Sequence, residues 1–279
     1  MNFSPKERLC AKTLLARAFY EDKADRDLTS AISCPKEKEG EFFLKTRQDI
    51  VVAGLEAVSF GFKFLDSGVR TELLKRDGGR AEKGETLAVI MGPIAPILSC
   101  ERTVLNLLQR MCGVATLTAK YVSAAKGLAK IVDTRKTMPG FRLLDKYAVR
   151  CGGGENHRLD LSDMIMLKDN HLAYSGLGYK ELFEKARKEH QGVPIAVEAE
   201  NYDQAVELVK FKPDILMLDN IPPEEMKRIA EKLNGKVVLE ATGGVTLDNL
   251  SEIAECGVQR ISIGAITHSA TAVDLGLDA

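Results

Sequence analysis

The chain has 279 residues, 45% of them apolar, enough for one large α/β domain or for a barrel with a smaller companion. Its 39 basic and 40 acidic residues leave a formal charge of −1, which excludes nucleic-acid binding through a global basic field; clustered cations must be read locally. The six cysteines (Cys10, Cys34, Cys100, Cys112, Cys151, Cys256) form no CxxC pair and no Cys/His metal spacing, and read as reduced thiols of a cytoplasmic protein.

The opening MNFSPKERLC enters a charged amphipathic pattern and carries no signal-peptide signature. Ser4 is placed to cap a helix over Pro5–Glu21, with Leu9, Thr13, Ala16 and Tyr20 at helical spacing. DRDLTS, from Asp25 to Ser30, reads as a turn. FFLKT and IVVAGL read as strands, followed by an apolar helix around Leu55–Phe64 and a strand over Thr86–Met91. The apolar stretch Leu87–Cys100 is broken by Gly92, Pro93 and Pro96 and is no membrane span. Ser99 is then expected to cap a long helix over Glu101–Lys126, with Leu105, Leu108, Cys112, Ala115 and Val122 on one stripe. That start places Arg102 in the first turn, where a cation opposes the helix dipole. Arg102 is either a plain surface arginine or one set to meet an anion.

After Gly127 the texture becomes a repeat of short apolar runs: Lys130–Asp133, Met164–Leu167, Ile195–Val197, Ile215–Leu218, Val237–Leu239 and Ile261–Ile263. Residues closing them include Lys168, Glu198, Asp219, Glu240 and Gly264, spaced about 21–30 residues apart, the length of a strand–loop–helix unit. Near-continuous Val/Ile/Leu strands of this kind argue for parallel β buried on both faces. Helices capped by Asn201, opened by Pro222 and Pro223, and capped by Thr246 separate them. Six units fall short of a full eight-stranded barrel, and periodicity alone also allows a doubly wound sheet. A barrel is favoured because reactive residue types recur at the strand ends, which a barrel gathers on one face.

On that reading Arg135, Lys136, Lys168, Glu198 and Asp219 ring one mouth, with His157 and Arg158 on a loop above it. Two like charges at ~4 Å repel by roughly 4 kcal/mol at an effective dielectric near 20. The cations therefore need either an anionic ligand or ion pairing with Glu198, Asp219, Asp133 and Asp169. Glu198 and Asp219, on consecutive strand ends, suit hydroxyl recognition or Mg²⁺ held partly through water. Thr242-Gly243-Gly244 and Gly264-Ala265 follow the last two strands, where barrels bind phosphate. Together these features suit phosphoribosyl transfer from a Mg²⁺–diphosphate donor to an acidic acceptor.

TRKTMPGFRLLDKYAVRCGGG, NHR, KDNH, LDN and SIGAITHS, with ERTVLNLLQRMCGVATLT and DLTS upstream, closely resemble the quinolinate phosphoribosyltransferase family over almost the whole chain. The resemblance implies an incomplete TIM-like α/β barrel (111–279) with an N-terminal α/β sandwich domain (1–110). The helix over 101–126 would bridge them and a C-terminal helix would pack back. It implies union of quinolinate with phosphoribosyl pyrophosphate to give nicotinate mononucleotide, pyrophosphate and CO₂ for NAD biosynthesis, with Mg²⁺, in a homodimer or larger homo-oligomer whose sites are shared between subunits. No nucleic acid or membrane partner is implied.

Carried over by motif, Arg135, Lys136, His157, Arg158 and Lys168 would hold the two quinolinate carboxylates, with Thr134 beside them and Arg102 arriving from the partner subunit. Glu198 and Asp219 would bind ribose hydroxyls and Mg²⁺, and are the implied catalytic residues with Lys136 and Lys168. Thr242, Gly243, Gly244, Gly264 and Ala265 would take the 5′-phosphate, with His268 nearby. The sequence departs from the family at Ala196, where a glutamate is frequent, and at Thr242, where serine is common. Glu155 and Asp160 are more acidic than the pattern and put acceptor affinity in question. Competing readings are a same-fold paralogue linked to molybdate transport, a Schiff-base aldolase using Lys168, and a non-catalytic nucleotide sensor.

Overall fold

A serine three residues before a glutamate is a helix-start signal, and it acts as one here. Glu7 N–H donates to Ser4 Oγ (3.3 Å) and Ser4 N–H to Glu7 Oε2 (2.7 Å), opening α1 (Pro5–Asp22). The computed structural model describes residues 1–35 and 37–279. These divide into two units, one of Met1–Ala119, Thr137–Gly153 and Ile266–Ala279, the other of Lys120–Lys136 and Gly154–Ala265. The chain crosses between them more than once, so the units are interleaved rather than consecutive.

In the first unit α1 buries Glu7, Ala11, Leu15 and Phe19, not the expected stripe; Leu9 and Tyr20 are 67% and 85% exposed. Both stripes have helical spacing. The buried one carries Phe19, whose ring stacks on Phe64 at 4.5 Å. DRDLTS is more than a turn: Asp27 caps α2 (Leu28–Ser33), accepting from Thr29 and Ser30 N–H. There follow β1 (Glu39–Thr46), β2 (Ile50–Val51), α3 (Leu55–Phe62), β3 (Arg70–Leu73), β4 (Arg80–Ala81) and β5 (Thr86–Pro93).

The long helix α4 (Ile94–Ala124) starts well before the expected Glu101. Pro96 falls in its first turn, where the missing N–H has no intrahelical partner to lose. Ser99 is therefore interior, its hydroxyl donating to Asp27 Oδ2 (2.8 Å). Arg102 is interior too, so the first-turn argument for it does not hold.

β6 (Lys130–Val132) belongs to the second unit and α5 (Arg142–Cys151) to the first, where buried Asp145 takes two bonds from the Arg110 guanidinium at 3.1 Å each. The repeat continues as β7 (Ile165–Leu167), α6 (Asp169–Ser175), α7 (Tyr179–Glu189), β8 (Ile195–Ala199), α8 (Tyr202–Leu208), β9 (Ile215–Asp219), α9 (Pro223–Leu233), β10 (Val238–Thr242), α10 (Leu250–Ala254) and β11 (Arg260–Ser262). α11 (Ala265–His268) and β12 (Leu275–Asp278) close the chain. Where a C-terminal helix was expected, β12 pairs antiparallel with β1, Phe43 opposite Asp278, in the sheet β12-β1-β5-β3. Leu275 and Leu277 alternate with Gly276 and Asp278, a strand period rather than a helical one.

The second unit holds a parallel sheet in the order β6-β11-β10-β9-β8-β7. The last strand pairs with the first and each other strand with its sequence neighbour. A doubly wound sheet reverses direction at a switch point; this order is cyclic, interrupted between β6 and β7. It is an incomplete α/β barrel. Among the described residues, no helix is long and apolar enough to cross a membrane.

Candidate active site

Parallel strands of a barrel deliver their carboxyl ends to one face, and residues two apart along a strand share a side. In the second unit these ends surround a cavity of about 520 Å³. Thr134, Arg135, Lys136, His157, Arg158 and Lys168 line it, with Glu198, Asp219 and Thr242-Gly243-Gly244. Gly264 and Ala265 are outside the lining. Arg102 and His268 belong to the first unit: His268 Nδ1 lies 2.6 Å from Ser269 Oγ, and Arg102 lines a cavity of about 440 Å³ with Asn106, Arg110, Met138 and Phe141.

Met166, Met217, Asn220 and Ser262 also line the 520 Å³ cavity, and the sequence reading missed them. A signal existed for three. Met166, Met217 and Ser262 each stand two residues before a residue singled out at a strand end (Lys168, Asp219, Gly264), hence on the same strand face. Asn220 closes the LDN motif but had no strand-face signal, because its position depends on a left-handed backbone (φ 53°).

The cations are partly neutralised within the cavity. Lys168 Nζ lies 2.5 Å from Glu198 Oε1. Arg158 donates from Nη1 to Met164 O (2.9 Å). Burial, and then the neighbouring Arg135 guanidinium, push Arg158 below the usual arginine value, while Glu198 works the other way. Two guanidiniums that repel across a cavity wall leave room for an anion to stabilise both. Asp133, fully buried at the end of β6, accepts from His157 N–H (2.8 Å) and Asn156 Nδ2 (2.7 Å), so it fastens the loop that carries His157 and Arg158.

Opposite in chemistry is the glycine turn. Gly243 has φ +85° and Gly244 φ +58°, conformations that L side chains resist. A Cβ on Gly243 would stand 2.3 Å from Asn220 Oδ1. The Asn220 side chain fills that space and donates from Nδ2 to Asp219 Oδ1 (3.2 Å), while its own N–H reaches Thr242 O (2.9 Å). Asn220 thus links the Asp219 carboxylate to the glycine turn.

Three of the four family departures have local accounts. Ala196 is fully buried in an apolar cluster with Ile215, Met217, Met164 and Met166. Glu155 pairs with Lys130 (2.8 Å) and Asp160 accepts from Ser162 (2.9 Å); neither lines the cavity, so their charge does not enter its wall.

Among the described residues, no cluster of three or more His, Cys, Asp or Glu could hold a metal by itself. Glu198 bonds through Oε1 and Asp219 through Oδ1, and both residues line the cavity. Two hard carboxylates on one cavity wall are a donor set that fits Mg²⁺, which is usually held by one or two carboxylates plus substrate oxygens.

The family model for the quinolinate phosphoribosyl transferase C-terminal domain matches residues 114–278, and that for the N-terminal domain matches residues 27–112. A Bacillus subtilis protein named probable carboxylating nicotinate-nucleotide pyrophosphorylase is 41% identical, over 96% of this chain and 92% of its own length. Its Mycobacterium leprae counterpart is 35% identical over 96% of each chain. The solved nicotinate-nucleotide pyrophosphorylase of Francisella tularensis superposes with a TM-score of 0.93 at 34% identity, covering 99% of this chain and 98% of that one. That of Ehrlichia chaffeensis gives 0.90 at 36% identity, covering 100% and 99%.

Proposed function

As the chain belongs to the quinolinate phosphoribosyltransferase family, we propose that its barrel cavity joins quinolinate to phosphoribosyl pyrophosphate, giving nicotinate mononucleotide, pyrophosphate and CO₂ on the route to NAD. The observation that carries this reading is the juxtaposition, on one cavity, of a cationic wall with two carboxylates and a glycine turn. Quinolinate bears two adjacent carboxylates beside a ring nitrogen. Arg135, Arg158, Lys136 and Lys168 supply the charge to orient them, with Arg forks favoured for planar carboxylates. Thr242-Gly243-Gly244 suits the 5′-phosphate.

As the C1′–O bond to pyrophosphate breaks, positive charge develops on the ribose, and Glu198 and Asp219 are the carboxylates at hand to stabilise it. The pyridine nitrogen forms the new bond to C1′ and becomes cationic. The C2–carboxylate bond then breaks, its electron pair drawn toward the ring nitrogen, and C2 takes up a proton as CO₂ leaves. Positioning and electrostatics carry the rate, without a covalent enzyme intermediate. Glu198 and Asp219 would hold Mg²⁺, which when bound offsets the charge of the diphosphate. The Lys168–Glu198 ion pair argues against a Schiff-base aldolase, which needs Lys168 as a free amine.

The protein would work in the cytoplasm, consistent with six cysteines unpaired into disulfides, four of them buried. It would act as a homodimer in which Arg102 completes the acceptor site of a second copy. Mixing inactive Arg102→Ala with inactive Lys136→Ala then restores part of the activity; no recovery contradicts sharing. For the reaction itself, CO₂ release should require quinolinate, phosphoribosyl pyrophosphate and Mg²⁺ together. Robust turnover with nicotinate in place of quinolinate would overturn the assignment.

A further inference from the structure

Glu240 was noted in the sequence only as the end of an apolar run. In the structure it is fully buried on β10, two residues before Thr242 and on the same strand face, one level beneath the cavity rim. Its register partner on β11 is Arg260, whose Nε lies 2.9 Å from Glu240 Oε2. Its other oxygen, Oε1, lies 3.3 Å from His157 Nε2, and the His157 side chain is only 4% exposed. Both are contacts by distance rather than aligned hydrogen bonds, the first from a guanidinium and the second from an imidazole. A carboxylate this deep is strongly destabilising unless charges or dipoles meet it, so its neighbours are constrained to face it.

The other side of the imidazole settles where its proton is. The Arg158 backbone N–H donates to His157 Nδ1 at 2.7 Å. An amide proton needs a lone pair there, so Nδ1 is bare and the ring proton sits on Nε2, the nitrogen 3.3 Å from Glu240 Oε1. His157 therefore spends one nitrogen on Glu240 and the other on the main chain of Arg158. That differs from the role the family resemblance implies, in which His157 itself grips a substrate carboxylate.

We propose that Glu240, backed by Arg260, is a positioning residue for the acceptor half of the site: it fixes the orientation of His157, and His157 holds Arg158 in the cavity wall. The proposal rests on the reading that Arg158 and its neighbours bind quinolinate. Its signature is asymmetric. The acceptor side depends on the Arg260–Glu240–His157–Arg158 series, whereas the glycine turn and Asp219, which serve the donor, are tied together separately through Asn220.

The test is calorimetric titration of quinolinate and, separately, of phosphoribosyl pyrophosphate into Glu240→Gln. Quinolinate affinity should fall about tenfold while donor affinity changes by less than about twofold. Unchanged quinolinate affinity, or an equal loss for both ligands, overturns the proposal. Should Glu240→Gln not fold, His157→Asn and His157→Leu decide. Asparagine Oδ1 can stand in for Nδ1 as the acceptor for the Arg158 amide, so the Asn variant should bind quinolinate more tightly than the Leu variant. Equal or reversed affinities overturn it. The unsubstituted protein is titrated alongside: if it binds no quinolinate, the functional reading fails, independently of the role given to Glu240.

Discussion

Replacing Gly243 by alanine probes the donor side of the site. At φ +85° any L side chain pays a left-handed backbone penalty of roughly 1–2 kcal/mol. The same penalty applies at Gly235, in the same unit with φ +71°, where an added Cβ meets nothing within 4 Å. At Gly243 the Cβ would stand 2.3 Å from Asn220 Oδ1, 2.5 Å from its Cγ and 2.7 Å from its Nδ2. The amide must swing away, although the Asn220 backbone is anchored to Thr242 O. Its bond to Asp219 is then lost, at a cost of about 1 kcal/mol. Urea unfolding should therefore show Gly243→Ala destabilised by about 2–3 kcal/mol, against about 1–2 kcal/mol for Gly235→Ala. With Asp219 released, phosphoribosyl pyrophosphate binding in Gly243→Ala should weaken about tenfold, while Gly235→Ala binds it normally. Equal destabilisation of the two variants with unchanged donor affinity would refute the role given to Asn220.

Three further outcomes are expected. Lys168→Met removes a cation from the acceptor wall and strips Glu198 of its partner, so quinolinate affinity should drop by about 30-fold or more in calorimetry, within the usual cost of breaking a charge pair; binding within about threefold of normal contradicts the assigned contact. Burial pushes Glu7 up, but the bonds from Arg150 and Ser4 outweigh it and hold its carboxyl below the ordinary 4.5. A depressed carboxyl stabilises the fold above pH 4.5 and loses that contribution as the pH falls through its lowered value. The gap in urea midpoint between the parent and Glu7→Gln should therefore be widest at neutral pH and close in acid; a constant gap rules this out. Burial pushes the Cys112 and Cys151 thiols up to about 12 and Cys100 to about 11, and Cys256 is also buried. An aromatic disulfide at neutral pH should react promptly only with Cys10 and Cys34, and rapid reaction of a third thiol in the folded protein would contradict this packing.

The barrel was legible because its strands are continuous aliphatic runs ending on Lys168, Glu198 and Asp219, and burial on both faces demands that composition. Strand order was not, since pairing β11 with β6 is a long-range choice that no local pattern encodes. β3 and β4 escaped notice because Arg70–Leu73 is largely exposed and Arg80–Ala81 is too short to show a period. The start of α4 was misread because Pro96 looks like a breaker, and only the structure shows it in a first turn. The charged residues that line the cavity declared themselves by type and position. Asn220 and Glu240 did not. Asn220 stands on a left-handed backbone and fills the gap above a glycine, and Glu240 meets a buried histidine from another part of the chain, both products of tertiary contact.

The fate of each quinolinate carboxyl group tests the proposed reaction most directly. Quinolinate labelled at the carboxyl beside the ring nitrogen, incubated with phosphoribosyl pyrophosphate and Mg²⁺, should release its label as CO₂ in step with nicotinate mononucleotide formed. Label at the other carboxyl should stay in the nucleotide. Nucleotide formed with both labels retained, or no product at all, would contradict it.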